Sequence, residues 1–479
     1  MHSSLLSPRF GAAAFLLALA GCGVSDLGPK PLPRPPETIA ATQSLPAGTA
    51  KWPEDAWWQG YGDPQLTALI EEGLKASPDV ATATARYRRA AGVVQQAGAA
   101  GLPSLDLRGQ AQLAKQSYNN GFPPQFLPQG WNDTGQIAAS FNFDLDLWGK
   151  NRAALAAATS DHRAAAIDVH QAELLLATGI ASAYVDLARL FAVRDVRRAE
   201  LTIREGSLKL VSDRVRNGLD NRGSTAQSEA QAANARGALA EAEQGIAMRR
   251  HQLAMLIGAG PDRGLAIAPP ALSLAPERGL PPGVTTDLIG RRPDVVAARE
   301  RVEAAASRIK VARADFYPAV NLSALVGFQS LGLSNLLLGG STFGNVGPAV
   351  SLPVFRGGAL QGQYKGARAT YDEAVATYDR TVLAAYQEAA DAVTAQGAIA
   401  RRLVEARTAL TASTEAYSIA RRRYEGGLSN YLDVLAVEDR LVQARTAMAE
   451  LEAAARSADI ALIRALGGGF TTTKEAPHA

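Results

Sequence analysis

The chain has 479 residues, 47% of them hydrophobic and 20% charged, so it can bury a core and is neither disordered nor a bundle of membrane-spanning helices. Its 49 Lys and Arg against 46 Asp and Glu leave a net charge of +3 with the signs interspersed, which argues against a nucleic-acid partner. A single cysteine excludes an intramolecular disulfide framework and a cysteine-based zinc site, while 6% aromatics and 44 glycines amid abundant alanine favour long, closely packed helices with strands.

Residues 1–21 read as a lipoprotein signal peptide. Arg9 lies in a short polar start, and Phe10 to Ala20 form an apolar run too short for the ~20 residues of a spanning helix. The run closes on Leu19-Ala20-Gly21-Cys22, which resembles the bacterial lipoprotein box and makes Cys22 the lipidation site. An ordinary signal peptide with an incidental cysteine is the plainer alternative, but the only cysteine falls where the box wants it. In the lipoprotein pattern an Asp after the cysteine retains a protein at the inner membrane; Gly23 stands here and favours the outer membrane. Residues 22–60 then form a lipidated N-terminus and a tether in which Pro31, Pro33, Pro35, Pro36 and Pro46 forbid regular helix.

The rest of the chain is written twice. Pro78-Asp79-Val80 matches Pro293-Asp294-Val295, an offset of 293 − 78 = 215, and Pro103 matches Pro318 at the same offset. Gly149 matches Gly358, Arg214 to Leu219 matches Arg423 to Leu428, and Gly258 matches Gly467, each at 467 − 258 = 209. The six-residue difference places a longer surface loop between Pro103 and Gly149. Repeat 1 spans 61–260, a Gly/Pro-rich linker 261–284, repeat 2 spans 285–467, and 468–479 is a C-terminal tail.

Each copy carries two segments of period two. In 136–147, Ile137, Ala139, Phe141, Phe143, Leu145 and Leu147 alternate with polar or small residues, and 103–114, 318–329 and 346–355 repeat the pattern. Their lengths suit tilted strands that cross a bilayer, with one face for lipid and one for a watery lumen. A half-buried sheet of a soluble domain would alternate in the same way. Four strands cannot close a transmembrane barrel, and open edges in lipid leave backbone groups unsatisfied. Three copies leave an open lumen more readily than two, because an 8-stranded barrel is filled by its own side chains.

Long helices are expected over 150–217, 223–257, 360–426 and 429–466. No proline occurs between Pro128 and Pro261 or between Pro353 and Pro477, although the chain holds 25. A row recurring every seven residues from Tyr364 through Tyr371 and Tyr378 to Ala420 imposes a left-handed supercoil. From Tyr364 to Tyr424 such a helix rises about 90 Å. A plain coiled-coil rod is the alternative that the strands oppose.

In order along the chain, Trp57-Trp58, Tyr61-Gly62-Asp63-Pro64, Arg291-Arg292-Pro293-Asp294-Val295, Ala312-Arg313-Ala314-Asp315-Phe316-Tyr317-Pro318 and Arg423-Tyr424-Glu425-Gly426-Gly427-Leu428 resemble the TolC-type outer-membrane efflux factors, in their lipoprotein NodT/OprM branch. The resemblance covers nearly the whole mature chain. It implies a mixed α and β membrane protein: a homotrimer with a 12-stranded outer-membrane β-barrel, four strands per protomer, continued by a long periplasmic α-helical barrel. It further implies a passive exit duct, docked at its helix tips onto a periplasmic adaptor protein that binds an inner-membrane RND-type transporter.

Glycine breakers put the adaptor-contact tips at Gly218 and Leu219 and at Gly427 and Leu428. The family pattern maps a periplasmic gate onto Tyr424 and Leu432, with Asp433 and Asp439 as acids on the following turns; Ala436 stands where an acid is often found. Arg422, Arg423 and Arg440 are the expected partners for these acids and Glu438, and ordinary exposed helix charges are the plain alternative for each. No catalytic motif occurs, the five histidines form no metal site, and no cofactor beyond the lipid is expected. A non-conducting, lipid-anchored coiled-coil spacer is the structural alternative. A duct for protein secretion or metal efflux is the alternative within the class.

Overall fold

A computed structural model describes residues 26–119, 121–273 and 278–471; Cys22, the signal segment and the last eight residues lie outside the described residues. In chain order the elements are α1 (Pro64–Ala76), α2 (Pro78–Ala99), β1 (Ser104–Ala114), β2 (Asn132–Asp144), α3 (Lys150–Arg216), α4 (Arg222–Leu256), α5 (Pro261–Leu265), α6 (Val284–Arg291), α7 (Pro293–Ala314), β3 (Ala319–Leu331), β4 (Thr342–Ser351), α8 (Ala359–Glu425) and α9 (Tyr431–Ala465). Two compact units share them: one holds the described residues up to Pro33 with 87–164 and 298–378, the other 34–86, 165–297 and 379–471.

The first unit contains a four-stranded antiparallel sheet of order β1-β2-β3-β4, in which the two repeats meet where β2 pairs with β3. Direct cross-strand partners share a face. Leu105, Phe141, Ala324 and Val346 form one apolar row, and Leu107, Ala139 and Val326 the next. On the opposite face, Gln110, Gln136 and Gln329 stand in one row and Asn142 beside Ser323 in another. A soluble sheet would cover its apolar face, but Leu105 and Leu107 are 75% exposed and Val346 is 77% exposed. Among the described residues the outer edges of β1 and β4 have no neighbour.

All four helix junctions fall at one end of the sheet, from α2 and α7 into β1 and β3 and from β2 and β4 into α3 and α8; the loops 115–131 and 332–341 lie at the other. β2 begins earlier than the expected 136 and stops at Asp144, short of 147. The cause is Asp146, at φ 42, whose carboxylate accepts from the Asn151 and Arg152 N–H groups at 2.9 and 3.1 Å and so caps the start of α3. Likewise β4 runs Thr342–Ser351 where 346–355 was expected. Pro348 is tolerated within it because β4 is an edge strand.

The Pro-rich tether is docked. Arg368 of α8, 7% exposed, donates to the Gly28 and Pro29 carbonyls at 3.3 and 2.5 Å, and the Tyr371 hydroxyl donates to the Pro31 carbonyl at 3.0 Å. Composition revealed the extended backbone but not these partners.

In the second unit the Trp57–Pro64 motif locks the start of the fold. The Tyr61 hydroxyl donates to Asp459 Oδ2 at 2.7 Å, and Asp63 caps α1 through the Gln65 N–H while accepting from the Tyr184 hydroxyl and the Ala271 N–H at 2.7 and 2.9 Å. Around them Leu66, Ile70, Ile180, Leu187, Leu253, Ile257 and Ile460 form the core. Both repeats end in the same tight approach. Gly258 and Gly467 have φ 77 and 88, and a Cβ on them would lie 2.5 Å from the Ala76 carbonyl oxygen and 1.9 Å from that of Arg291.

Candidate functional site

The polar face of the sheet carries Asp106, Arg108 and Gln110 on β1, Gln136 and Asn142 on β2, Asn321 and Ser323 on β3, and Asn345 on β4. Leu325 and Phe343 share that face and interrupt it. Exposed aromatics flank the strands at both ends, as the boundary between hydrocarbon and headgroups favours. Phe122, Phe126 and Trp131 stand in the β1–β2 loop. At the helix end Trp148 stacks on Tyr317 at 4.7 Å and donates from Nε1 to the Pro318 carbonyl at 2.7 Å, with Phe355 87% exposed nearby in the chain. Sequence reasoning missed Trp148 and Phe355; their position just past the strand ends was the available signal.

The helix tips are built alike in both repeats. Gly218 at φ 72 lets the Leu219 N–H reach back to the Arg214 carbonyl at 2.8 Å, and Asn221 Oδ1 then caps α4 by accepting from the Ser224 N–H at 3.1 Å. Gly427 at φ 73 lets the Leu428 N–H reach the Arg423 carbonyl at 2.8 Å, and Asn430 caps α9 through the Asp433 N–H at 3.0 Å. Leu219 and Leu428 are 65% and 74% exposed, and Leu432 is 57% exposed. α4 begins at Arg222, so Gly223 lies inside it.

Behind the tips a charged network joins α3 to α9. Arg204 and Glu438 are 2% and 1% exposed; the Arg204 guanidinium donates to Glu438 at 2.5 Å and to Asp439, and the Ser207 hydroxyl donates to Glu438 at 3.1 Å. For Glu438 and Asp439 the expected partners Arg422, Arg423 and Arg440 are therefore corrected to Arg204, which lies 234 residues from Glu438 in sequence. Burial pushes the Glu438 carboxyl up, against the pull of Arg204 and Ser207. Asp439 is half exposed and tied to Arg204, while Asp433 is exposed in the first turn of α9.

Tyr424 is 3% exposed and packs with Val211, Tyr431, Val434 and Leu435. Its hydroxyl donates to Asp220 at 3.3 Å and the Arg214 guanidinium lies 4.8 Å from its ring centre, so within one protomer it ties the two tips together. Burial and the Asp220 charge push its phenol up to about 12. For Asp220, burial alone would raise the carboxyl, but hydrogen bonds from Ser224, the Asn221 N–H and Tyr424, with the Arg214 charge, hold it below the ordinary value. A depressed carboxyl stabilises above its unfolded pKa and loses that contribution as pH falls through the folded one. Protection factors of the tip amides, with the intrinsic pH dependence of exchange divided out, should therefore fall only on acidification below the ordinary carboxylate range. In Asp220→Asn the exchange should be fast at neutral pH; equal protection of both forms there would contradict this role.

His162 stacks on Tyr87 at 4.7 Å, and His170 pairs with Glu173 at 3.2 Å. Among the described residues no group of three or more candidate metal ligands gathers.

The model of the family described as outer membrane efflux protein matches residues 69–259 and 284–468, one segment for each repeat. The chain belongs to the outer membrane efflux protein family. It is similar to the fusaric acid resistance protein FusA of Burkholderia cepacia, 33% identical over 77% of this chain and 71% of that one. Multidrug resistance outer membrane protein MdtP of Escherichia coli is 28% identical over 91% of this chain and 90% of its own. The crystal structure of outer membrane protein VceC from Vibrio cholerae superposes with a TM-score of 0.82 at 42% identity, covering 88% of this chain and 100% of that one. As a member of this family the chain is an outer-membrane channel protein of an efflux system, largely helical with a small sheet and built as a tandem repeat. The non-conducting spacer is thereby set aside.

Proposed function

We propose that three copies of the chain close their sheets into one 12-stranded barrel in the outer membrane, forming the passive exit duct of a tripartite efflux system. The observation that carries this reading is the sheet itself: among the described residues its apolar face is uncovered, its opposite face is polar, and its two outer edges, which hydrocarbon would not tolerate, are unpaired. Each neighbour would supply the missing edge partner. The helices would form the α-helical barrel across the periplasm, each 67-residue α3 and α8 rising about 100 Å. Their tips at Gly218, Leu219, Gly427 and Leu428 would seat on a periplasmic adaptor that joins them to an inner-membrane RND-type transporter. The names of FusA and MdtP support small organic cargo. The duct carries no catalytic chemistry of its own in this reading.

Cys22 would bear the lipid. Gly28 is 28 − 22 = 6 residues beyond it and is held at Arg368, nine residues into α8. Six extended residues reach about 20 Å, whereas nine helical residues rise about 14 Å, so an acyl anchor on Cys22 stays within range of the strand end of α8. Lipid in the inner leaflet of the outer membrane then fits the docked tether.

The gate would lie on α9, with Leu432 and Asp433 free to face the axis, Asp439 held by Arg204, and Tyr424 bracing the tips from inside the protomer. Planar-bilayer recordings should show a higher closed-state conductance for Leu432→Ser and for Asp439→Ala than for the unsubstituted channel. Unchanged conductance in both would remove the gate from this tip.

A further inference from the structure

Residues 332–341, Gly-Leu-Ser-Asn-Leu-Leu-Leu-Gly-Gly-Ser, join β3 to β4 without one charged side chain. Leu337 and Leu338 are 73% and 57% exposed, and Leu333 is 44% exposed. An exposed leucine group on a loop meant for water is costly, so the side of the sheet on which it lies is informative.

Gly135 fixes that side. It belongs to the β2 parity of Ile137, Ala139 and Phe141, the apolar face of the sheet. A Cβ on Gly135 would lie 2.8 Å from Leu333 Cδ2 and 3.2 Å from Leu336 Cδ2. Leu333 and Leu336 therefore sit over the apolar face and not over the polar one. Several polar groups of the loop are satisfied within the chain. The Gly332 N–H donates to the Asp133 carbonyl and the Leu333 N–H to the Asp133 carboxylate, each at 2.7 Å; Asn335 Nδ2 reaches the Leu331 carbonyl at 3.2 Å, and the Ser341 hydroxyl reaches the Asn335 carbonyl at 2.8 Å. Such internal pairing lowers the cost of seating the leucine side chains of the loop against hydrocarbon.

We propose that this loop is a lipid-contacting flap: Leu333 and Leu336 pack on the outward face at Gly135, and Leu337 and Leu338 enter the acyl region of the outer leaflet beside the barrel. The partner is lipid hydrocarbon, because the flap continues the apolar surface of the sheet and offers no charge to a headgroup or to a polar peptide. The inference rests on the reading that the apolar face meets lipid.

The test is spin-label accessibility on the full-length chain reconstituted in phosphatidylcholine vesicles. A nitroxide is placed at Leu337→Cys, with Val346→Cys on the apolar face and Asn345→Cys on the polar face as neighbouring references. The unsubstituted chain supplies any background from Cys22. The expected result is that the label at 337 collides with oxygen in preference to a neutral nickel chelate, as at 346, while 345 prefers the chelate. A chelate preference at 337 like that at 345 would place the loop in water or over the lumen and overturn the inference. Weak collision with both agents would place it against protein, such as a neighbouring protomer, and overturn it equally. If 346 itself prefers the chelate, the lipid-face reading has failed, a result distinct from failure of the flap. Leu338→Cys repeats the measurement should the first variant not assemble.

Discussion

Arg204→Ala is expected to cost about 3–5 kcal/mol, the penalty of leaving a buried charge without its partner, and to loosen the helix tips. The size follows from burial: Glu438 is 1% exposed and its carboxylate would keep only the Ser207 hydroxyl. Burial already pushes the Glu438 carboxyl up with Arg204 present, and removing the guanidinium pushes it further. An acid whose folded pKa is raised contributes stability below its unfolded value and loses it as pH rises through the folded one. The variant's deficit should therefore be larger at mildly alkaline than at mildly acidic pH. Thermal unfolding at both pH values would read this, and bilayer recordings should show a leak. Glu438→Met in the Arg204→Met background should recover much of the loss, because replacing both partners leaves no orphan charge. A small deficit independent of pH would contradict the account.

Gly467→Val is expected to be as damaging, and for a reason without charge. At φ 88 any side chain incurs strain of about 1–3 kcal/mol. A Cβ there would also stand 1.9 Å from the Arg291 carbonyl oxygen, and forced repacking of a close contact adds ~1–3 kcal/mol. The α9 end would have to leave α6, and with it the hydrogen bond from Arg292 to the Ala465 carbonyl at 3.2 Å. Gly258→Val should cost less, since its approach to Ala76 is looser at 2.5 Å. The yield of folded protein and its unfolding temperature would rank the two; a Gly467→Val protein as stable as the parent would refute the close-approach argument.

Features set by local chemistry were legible in the chain. Alternation around Phe141 and Val350 marked strands, proline-free stretches marked the long helices, and Gly218 and Gly427 marked the turns that they make. What pairs across long sequence separations was not. Glu438 finds Arg204 across 234 residues, Tyr424 finds Asp220 across 204, and the tether finds Arg368 across 339, and no local pattern encodes such choices. Strand ends slipped for a related reason. The apolar parity of Leu145 and Leu147 continues past Asp144, but the carboxylate of Asp146 turns to cap α3 and ends the ladder. The residues proposed for the gate divide in the same way: Leu432 and Asp433 are exposed, whereas Tyr424 is buried against residues of its own chain.

Everything proposed for conduction depends on neighbours completing the sheet of one chain. Native mass spectrometry of the full-length protein released from lipid nanodiscs counts the copies directly. Three copies per particle are predicted, because three four-stranded sheets make the smallest barrel here that is wider than the side-chain-filled size. Particles holding one or two copies would contradict the account.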